Sequence, residues 1–339
     1  MTRPLLLMLM SALLCACCTA KKEFQATPQS RVVIAFGSCA DDRVFPSMPI
    51  FDAVAAEKPA ALFLIGDTPY IDSTALDMQR KRHAEFRAMP QLAALARTTP
   101  IHATWDDHDF GRNDTNGTLE GKENSRLAFM EANALTHAGN GREGIYSEVR
   151  VGPVHVFLLD CRWWAGTEPS FADPDKPTLL GREQWEWLKA RLQASDAPFK
   201  VLASGMIWND AVRANKPDYW GAYRHERDAL MQFLGEANIS GVLLMGGDIH
   251  RSRALIHPAS DFRAPYAMLE LIASPLANNV HLNSKVPHPA LIAEGEETQM
   301  AMILTVDAGQ SPARLLARCI TYDGRELFRV ERTLDQMTP

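Results

Sequence analysis

Four segments of the sequence place metal-capable or proton-carrying side chains directly after an apolar run. Gly37-Ser38-Cys39 follows Ile34-Ala35-Phe36. Gly66-Asp67-Thr68-Pro69-Tyr70 follows Leu62-Phe63-Leu64-Ile65. Trp105-Asp106-Asp107-His108-Asp109 follows Ile101-His102-Ala103-Thr104 and runs on to Gly111-Arg112-Asn113-Asp114. Gly246-Gly247-Asp248-Ile249-His250 follows Val242-Leu243-Leu244-Met245. Asp248 and His250, two positions apart, leave a strand on the same side and reach one cluster. A carboxylate such as Asp67 can bridge two cations, the arrangement that two-metal phosphoester chemistry needs. Buried together without cations, these carboxylates would repel one another and lose hydration uncompensated.

Each segment alone has a plainer reading. Gly-Asp after a strand is usually a turn. A lone buried thiol such as Cys39 is usually packing. Residues 106–109 alone would pass for a solvated acidic loop. The four together, all at the ends of apolar runs, point to one metal centre.

The elements that must position them are legible in outline. Residues 31–36, 61–65, 100–104, 200–203 and 241–245 read as buried strands. Residues 49–58, 77–89, 182–193 and 226–236 read as helices. Ile50, Phe51 and Val54 share one face of the first, and Trp185, Leu188 and Leu192 face inward on the third. Residues 145–151 and 154–159 pair across Gly152-Pro153, and the strand patterns between Met302 and Arg332 turn at Asp323-Gly324. Strands alternating with helices, followed by strand pairs, predict an α/β protein with mixed sheets. Open α/β sheets gather ligands at the carboxyl ends of their strands, where the four segments lie.

Composition sets outer limits. Apolar residues make up 46% and charged residues 22%, which excludes a disordered, collagen-like or coiled-coil chain. Lys and Arg number 35 against 41 Asp and Glu, a net charge of −6 that argues against a nucleic-acid platform. It leaves room for one phosphate ester held in a local cationic pocket.

Residues 5–14 form an apolar run after Arg3, at about 10 residues too short to span a bilayer. Small residues follow, so residues 1–16 read as a secretory signal peptide. Leu14-Cys15-Ala16-Cys17 resembles the lipobox of bacterial lipoproteins. Cys17 is then the lipidated first residue, residues 17–30 form a polar tether, and the protein is exported and membrane-anchored. Cys18, Cys39, Cys161 and Cys319 remain, and export permits a Cys161–Cys319 disulfide. Trp163, Trp164, Trp208 and Trp220 read first as core or rim packing, and only second as a stacking surface at a pocket mouth. Trp185 and Trp187 sit on a helix and read as structural.

In chain order the motifs are Gly-Ser-Cys (37–39), Gly-Asp-x-x-Tyr (66–70) and Trp-Asp-Asp-His-Asp (105–109) with a following Asn113. Leu-Asp-x-Arg (159–162), Gly-x-x-Gln-Trp-x-Trp-Leu (181–188) and Gly-Asp-x-His (247–250) complete the series. This series resembles the PhoD-like phosphatases of the calcineurin-like metallophosphoesterase superfamily. The resemblance covers residues 31–257; beyond about residue 258 it is one of strand character alone. It implies a metallophosphoesterase-like sandwich of two mixed β-sheets flanked by helices over residues 31–339. There is no room for the additional N-terminal β-domain that some members carry.

The resemblance also implies roles. Cys39, Asp67, Tyr70 and His250 would hold an oxidised iron. Asp67 would bridge to a second site, where Asp248 and Asn113 hold a divalent cation such as calcium. Asp107 matches the position of an asparagine ligand in the wider superfamily. His108 would stand beside the leaving group, and Arg162 would contact phosphate. Cys161 stands where threonine is usual. The donor chemistry agrees: thiolate and phenolate suit a highly charged metal, and carboxylate and amide oxygens suit a harder divalent ion. The metal would lower the pKa of bound water, giving hydroxide to attack phosphorus.

The expected activity is alkaline-phosphatase-D-type hydrolysis of phosphomonoesters, phosphodiesters or both. A phospholipase-type diesterase acting on membrane lipid is the nearest alternative. A binding lipoprotein on a dead scaffold would be expected to have lost ligands. A cysteine hydrolase using Cys39 needs a histidine base beside it and leaves Asp67, Tyr70 and Asp248 unexplained.

Overall fold

The computed structural model of the chain describes residues 30–339. The expected signal peptide, Cys17 and nearly all of the expected tether lie outside the described residues. The strands are β1 (Arg31–Gly37), β2 (Ala61–Ile65), β3 (Ile101–Thr104), β4 (Ser147–Val151), β5 (Val154–Leu158) and β6 (Phe199–Ala203). They continue as β7 (Val242–Gly246), β8 (Ser252–His257), β9 (Met268–Ile272), β10 (Leu291–Gly295), β11 (Met300–Asp307), β12 (Arg314–Thr321) and β13 (Glu326–Thr333). One sheet has the order β13-β12-β11-β1-β2-β3, the other β10-β8-β9-β7-β6-β5-β4. β1, β2 and β3 run parallel, as do β5, β6, β7 and β9. The remaining pairs are antiparallel, so both sheets are mixed.

Strand alternation decides which side chain faces which layer. Ile34, Phe36, Phe63 and Ile65 share one face of the first sheet and join one core cluster with Val156, Leu158, Val201 and Leu243, which share one face of the second by register. Ala35, Leu62 and Leu64 point the other way, against Phe51, Val54, Phe86 and Leu92 of the flanking helices Ile50–Ala56, Leu76–Arg87 and Pro90–Ala96. Gly181–Ala194 and Arg224–Glu236 bring Trp185, Leu188, Leu230 and Leu234 to the second sheet. Each fully buried Leu or Phe in these layers contributes about 1.5–3 kcal/mol.

The two hairpins expected from turn residues are present. Val151 pairs with Val154 across Gly152-Pro153, and β12 and β13 join at a turn where Gly324 has φ +79°. The helices Pro90–Ala96 and Lys122–Ala132 and the strands β8 to β10 have no counterpart in the sequence pattern. Lys122–Ala132 buries only Ser125, Ala128 and Phe129, too sparse a stripe to show in the pattern. The Cys161–Cys319 disulfide does not form: both are free buried thiols, Cys161 just past β5 of one sheet and Cys319 within β12 of the other.

Main-chain hydrogen bonds tie the carboxyl ends of the two sheets together. Ser38 N–H donates to Ala273 O at 2.9 Å, and Leu276 N–H donates to Ser38 O at 2.7 Å. The ends of β1, β2 and β3 therefore face the end of β7. Among the described residues no helix is long and apolar enough to cross a membrane.

Candidate metal centre

The loops that leave β1, β2 and β7 turn sharply. Cys39, Asp67, Asp248 and His250 all have positive φ, between 53° and 71°. A left-handed backbone at non-glycine residues is strained, and such strain gathers at functional sites. Gly66, at φ +100°, makes the second turn, and a Cβ there would come within 2.5 Å of Asp106 Cβ.

These turns bring the side chains together. The Cys39 thiol donates to Asp67 Oδ2 at 3.6 Å, and the Tyr70 hydroxyl donates to His250 Nε2 at 2.7 Å. His250 Nδ1 donates to Asn279 O at 2.6 Å, which leaves Nε2 as the lone-pair nitrogen, the form that binds a metal. The other carboxylate oxygen of Asp67 accepts His108 N–H at 3.2 Å. Ligand atoms of Asp67, Asp107 and His108 lie within 4.8 Å of one another, as do those of Asp107, Asp114 and Asp218. Asp67, Tyr70, His108, Asn113, Asp248 and His250 line a cavity of about 230 Å³.

Electrostatics bear on what this cluster can hold. Burial pushes the Cys39 thiol well up, and neighbouring Asp67 pushes it further. Burial and then Asp107 raise Asp67; burial, Cys39 and Asp67 raise Tyr70. Asp248 is raised to about 6 by burial, against the pull of Lys216. Asp107 Oδ1 is buried without a hydrogen-bond partner. A bound cation reverses this logic and lets thiol, phenol and carboxylates ionise together. The donor set therefore fits a metal centre. The same shift disfavours a cysteine hydrolase, since an activated thiol needs a lowered pKa and Cys39 is completely buried.

The two histidines differ. Burial, with His281 beside it, lowers His250 to about 3, so it stays neutral. Burial also opposes charge on His108, but Asp67, Asp72 and Asp107 outweigh it and raise its pKa to about 10. His108 Nδ1 donates to Asp72, so its ring is held as an imidazolium at the cavity wall.

A family model for PhoD-like phosphatases matches residues 34–308. The chain belongs to the PhoD-like phosphatases. Alkaline phosphatase D of Bacillus subtilis (strain 168) is 30% identical over 205 residues, 52% of this chain and 35% of that protein. The match thus spans about a third of that relative. A solved structure of PhoD superposes with a TM-score of 0.71 at 20% identity, over 91% of this chain and 71% of that one. A dimetal phosphatase from Danio rerio gives 0.56 at 12% identity, over 89% and 99%. These two likenesses show the fold.

The PhoD-like match runs past residue 257, where motif resemblance stopped, because β8, β9 and β11 belong to the same sheets. Of the site residues expected from the motifs, Cys39, Asp67, Tyr70, Asp107, His108, Asp248 and His250 come together. Asn113 lines the cavity but is exposed. Arg162 departs from expectation. It is fully buried and off the cavity, donating from Nε to Asp106 Oδ1 at 2.7 Å and pairing through Nη1 with Asp218 at 2.8 Å. It holds the carboxylates beneath the site and does not line the cavity. Asp160 is not its ionic partner; Asp160 Oδ1 accepts Trp105 Nε1–H and the backbone N–H of Arg162 and Trp163.

Trp208 stacks on Trp220 at 4.0 Å, both completely buried, and Trp163 and Trp164 are buried too, so all four are packing. The cavity holds residues the motifs did not assign: Asp114, Arg213, Lys216 and His281. Arg213 and Lys216 lie on the loop that Glu270 anchors by accepting Trp208 N–H and Asn209 Nδ2–H. His281 stacks on His250 at 4.1 Å, and Arg251 and Arg253 hold its turn through donation to His281 O and Ser284 O. Asp114 directly follows Asn113 and was within reach of the motif; the others sit in loops with no strand-end signature.

Proposed function

We propose that this chain is an exported, lipid-anchored phosphoesterase that hydrolyses phosphomonoesters, phosphodiesters or both with bound cations. The observation that carries this reading is the convergence of Asp67, Tyr70, Asp248 and His250 on one cavity, with Cys39 and Asp107 buried against Asp67. Thiolate, phenolate and neutral imidazole suit ferric iron at Cys39, Asp67, Tyr70 and His250. Asp248, Asn113 and Asp107 suit a divalent ion such as calcium, with Asp67 shared. When bound, such a pair supplies an activated water and neutralises charge on the phosphoryl group.

The side chains supply the rest. His108 carries the proton that the leaving oxygen needs, and Asp72 fixes its ring. Arg213 and Lys216 face the cavity with positive charge, where the buried Arg162 does not. Arg162 pairs with Asp106 and Asp218 and holds them in position. Leu282, 85% exposed next to cavity-lining His281 and Asn283, favours a second reading: a diesterase whose substrate has an apolar tail, such as a membrane lipid.

The test is hydrolysis of p-nitrophenyl phosphate and bis-p-nitrophenyl phosphate before chelation, after it, and after iron and calcium are restored. Loss and recovery of either activity supports the reading; hydrolysis indifferent to chelation refutes it. Export and anchoring rest on residues 1–30 alone. Intact mass of the mature protein is expected to begin at Cys17 with an acyl increment.

A further inference from the structure

The acidic side of the cavity already contains a cation of its own. Lys216 Nζ lies 3.1 Å from Oδ1 and 3.0 Å from Oδ2 of Asp248, straddling the carboxylate. It is also 2.9 Å from Asp218 Oδ1 and 3.5 Å from Asp114 Oδ1. Its side chain is only 6% exposed, so this is a built contact and not a passing surface pair.

The surroundings fix the carboxylates whether or not Lys216 is present. Asp218 is gripped from behind by Arg162 at 2.8 Å, and Asp114 by Arg213. Asp114 N–H donates to Asp107 Oδ2 at 2.6 Å. The inner half of the centre is different. Asp67 takes its contacts from the Cys39 thiol and the His108 N–H, with no lysine or arginine paired to it among the described residues.

We propose that the Lys216 ammonium competes with the second, divalent cation for Asp248, so that this cation binds weakly and exchangeably while the inner cation is held tightly. The inference rests on the metal-centre reading above and adds to it a control on occupancy. Both oxygens of Asp248 face Nζ, so a divalent ion can take them only by displacing the ammonium or by binding against its repulsion. The lysine can leave: its four-carbon stem is flexible and it borders the open cavity. Leaving means giving up Asp218 and Asp114 as well, and that loss is subtracted from the affinity of the incoming ion. The second site is then filled in proportion to the free divalent concentration, and the enzyme responds to it.

The test is calorimetric titration of the protein as purified with calcium chloride alone, without phosphate ester, in wild type, Lys216→Met and Lys216→Arg. Lys216→Met is expected to bind calcium at least about tenfold more tightly, and Lys216→Arg to remain weak. Equal or weaker binding by folded Lys216→Met overturns the inference. Amine labelling of wild type read by mass spectrometry needs no variant. Lys216 is expected to become more reactive as calcium is added, and unchanged reactivity at saturating calcium overturns the inference too. If elemental analysis finds no metal and neither protein binds calcium, the metal-centre reading fails and takes this inference with it. If metal is present and calcium binds but Lys216→Met matches wild type, this inference alone fails.

Discussion

The Tyr70 hydroxyl and His250 Nε2 meet at 2.7 Å although 180 positions separate them in sequence. β2 delivers one and β7 the other, from different sheets. A phenol and a lone-pair imidazole nitrogen, with the Cys39–Asp67 pair next to them, are the donors that the proposed inner metal would take. Tyr70→Phe removes one hydroxyl and keeps the ring that packs on His108 at 4.3 Å. Iron-loaded wild type is expected to show a visible charge-transfer band that Tyr70→Phe loses, with Cys39→Ser removing any thiolate share. An unchanged band in Tyr70→Phe contradicts Tyr70 as a ligand.

Asp67 touches both halves of the centre, through the Cys39 thiol and the His108 N–H. Asp67→Asn removes the shared anion, so two cations would face each other unscreened. Metal content is expected to fall, with turnover of p-nitrophenyl phosphate down roughly 100-fold or more. Elemental analysis and initial rates check this together. Full metal content at the wild-type rate contradicts it.

Arg162 is a structural cation. Removing one partner of a fully buried pair leaves the other charge uncompensated, at about 3–5 kcal/mol. Arg162→Met is expected to lower unfolding free energy in urea by that order, since Asp106 and Asp218 lose their common partner. A variant as stable as wild type with a raised KM would mean that Arg162 reaches the phosphate after all.

How much of this was legible follows from where each residue sits. Cys39, Asp67, Asp107, Asp248 and His250 stand just past apolar strands, and strand ends can be read one segment at a time. The positive φ values of Cys39, Asp67, Asp248 and His250, and the contacts among all five, could not be read so, because they arise only when the two sheets are tied at Ser38 and Ala273. Arg162 also follows a strand, β5, yet points beneath the site, since Asp106 and Asp218 claim it. Arg213, Lys216 and His281 ride on loops held by Glu270, Arg251 and Arg253, contacts far away in the chain. No local pattern marks such residues.

His83 gives an acid-sensitivity remote from the metals. It is buried against Phe129, and burial, with Arg87 and Arg82 nearby, lowers its pKa from 6.5 to about 4. The unfolded chain therefore takes up this proton first. Stability from this group is intact above pH 6.5 and falls as pH drops toward about 4, by about 3 kcal/mol in all. Urea unfolding between pH 7 and pH 4 is expected to show a shallower decline in His83→Phe. Parallel declines in the two proteins contradict the assignment.

Anomalous diffraction from crystals of protein purified without chelator tests the metal centre most directly. Data collected on both sides of the iron edge are expected to show iron bonded to Cys39, Asp67, Tyr70 and His250. A second, lighter cation is expected across Asp67, toward Asp248 and Asn113. A cavity without anomalous density, or a metal whose ligands leave out Cys39 and Tyr70, would contradict the centre described here.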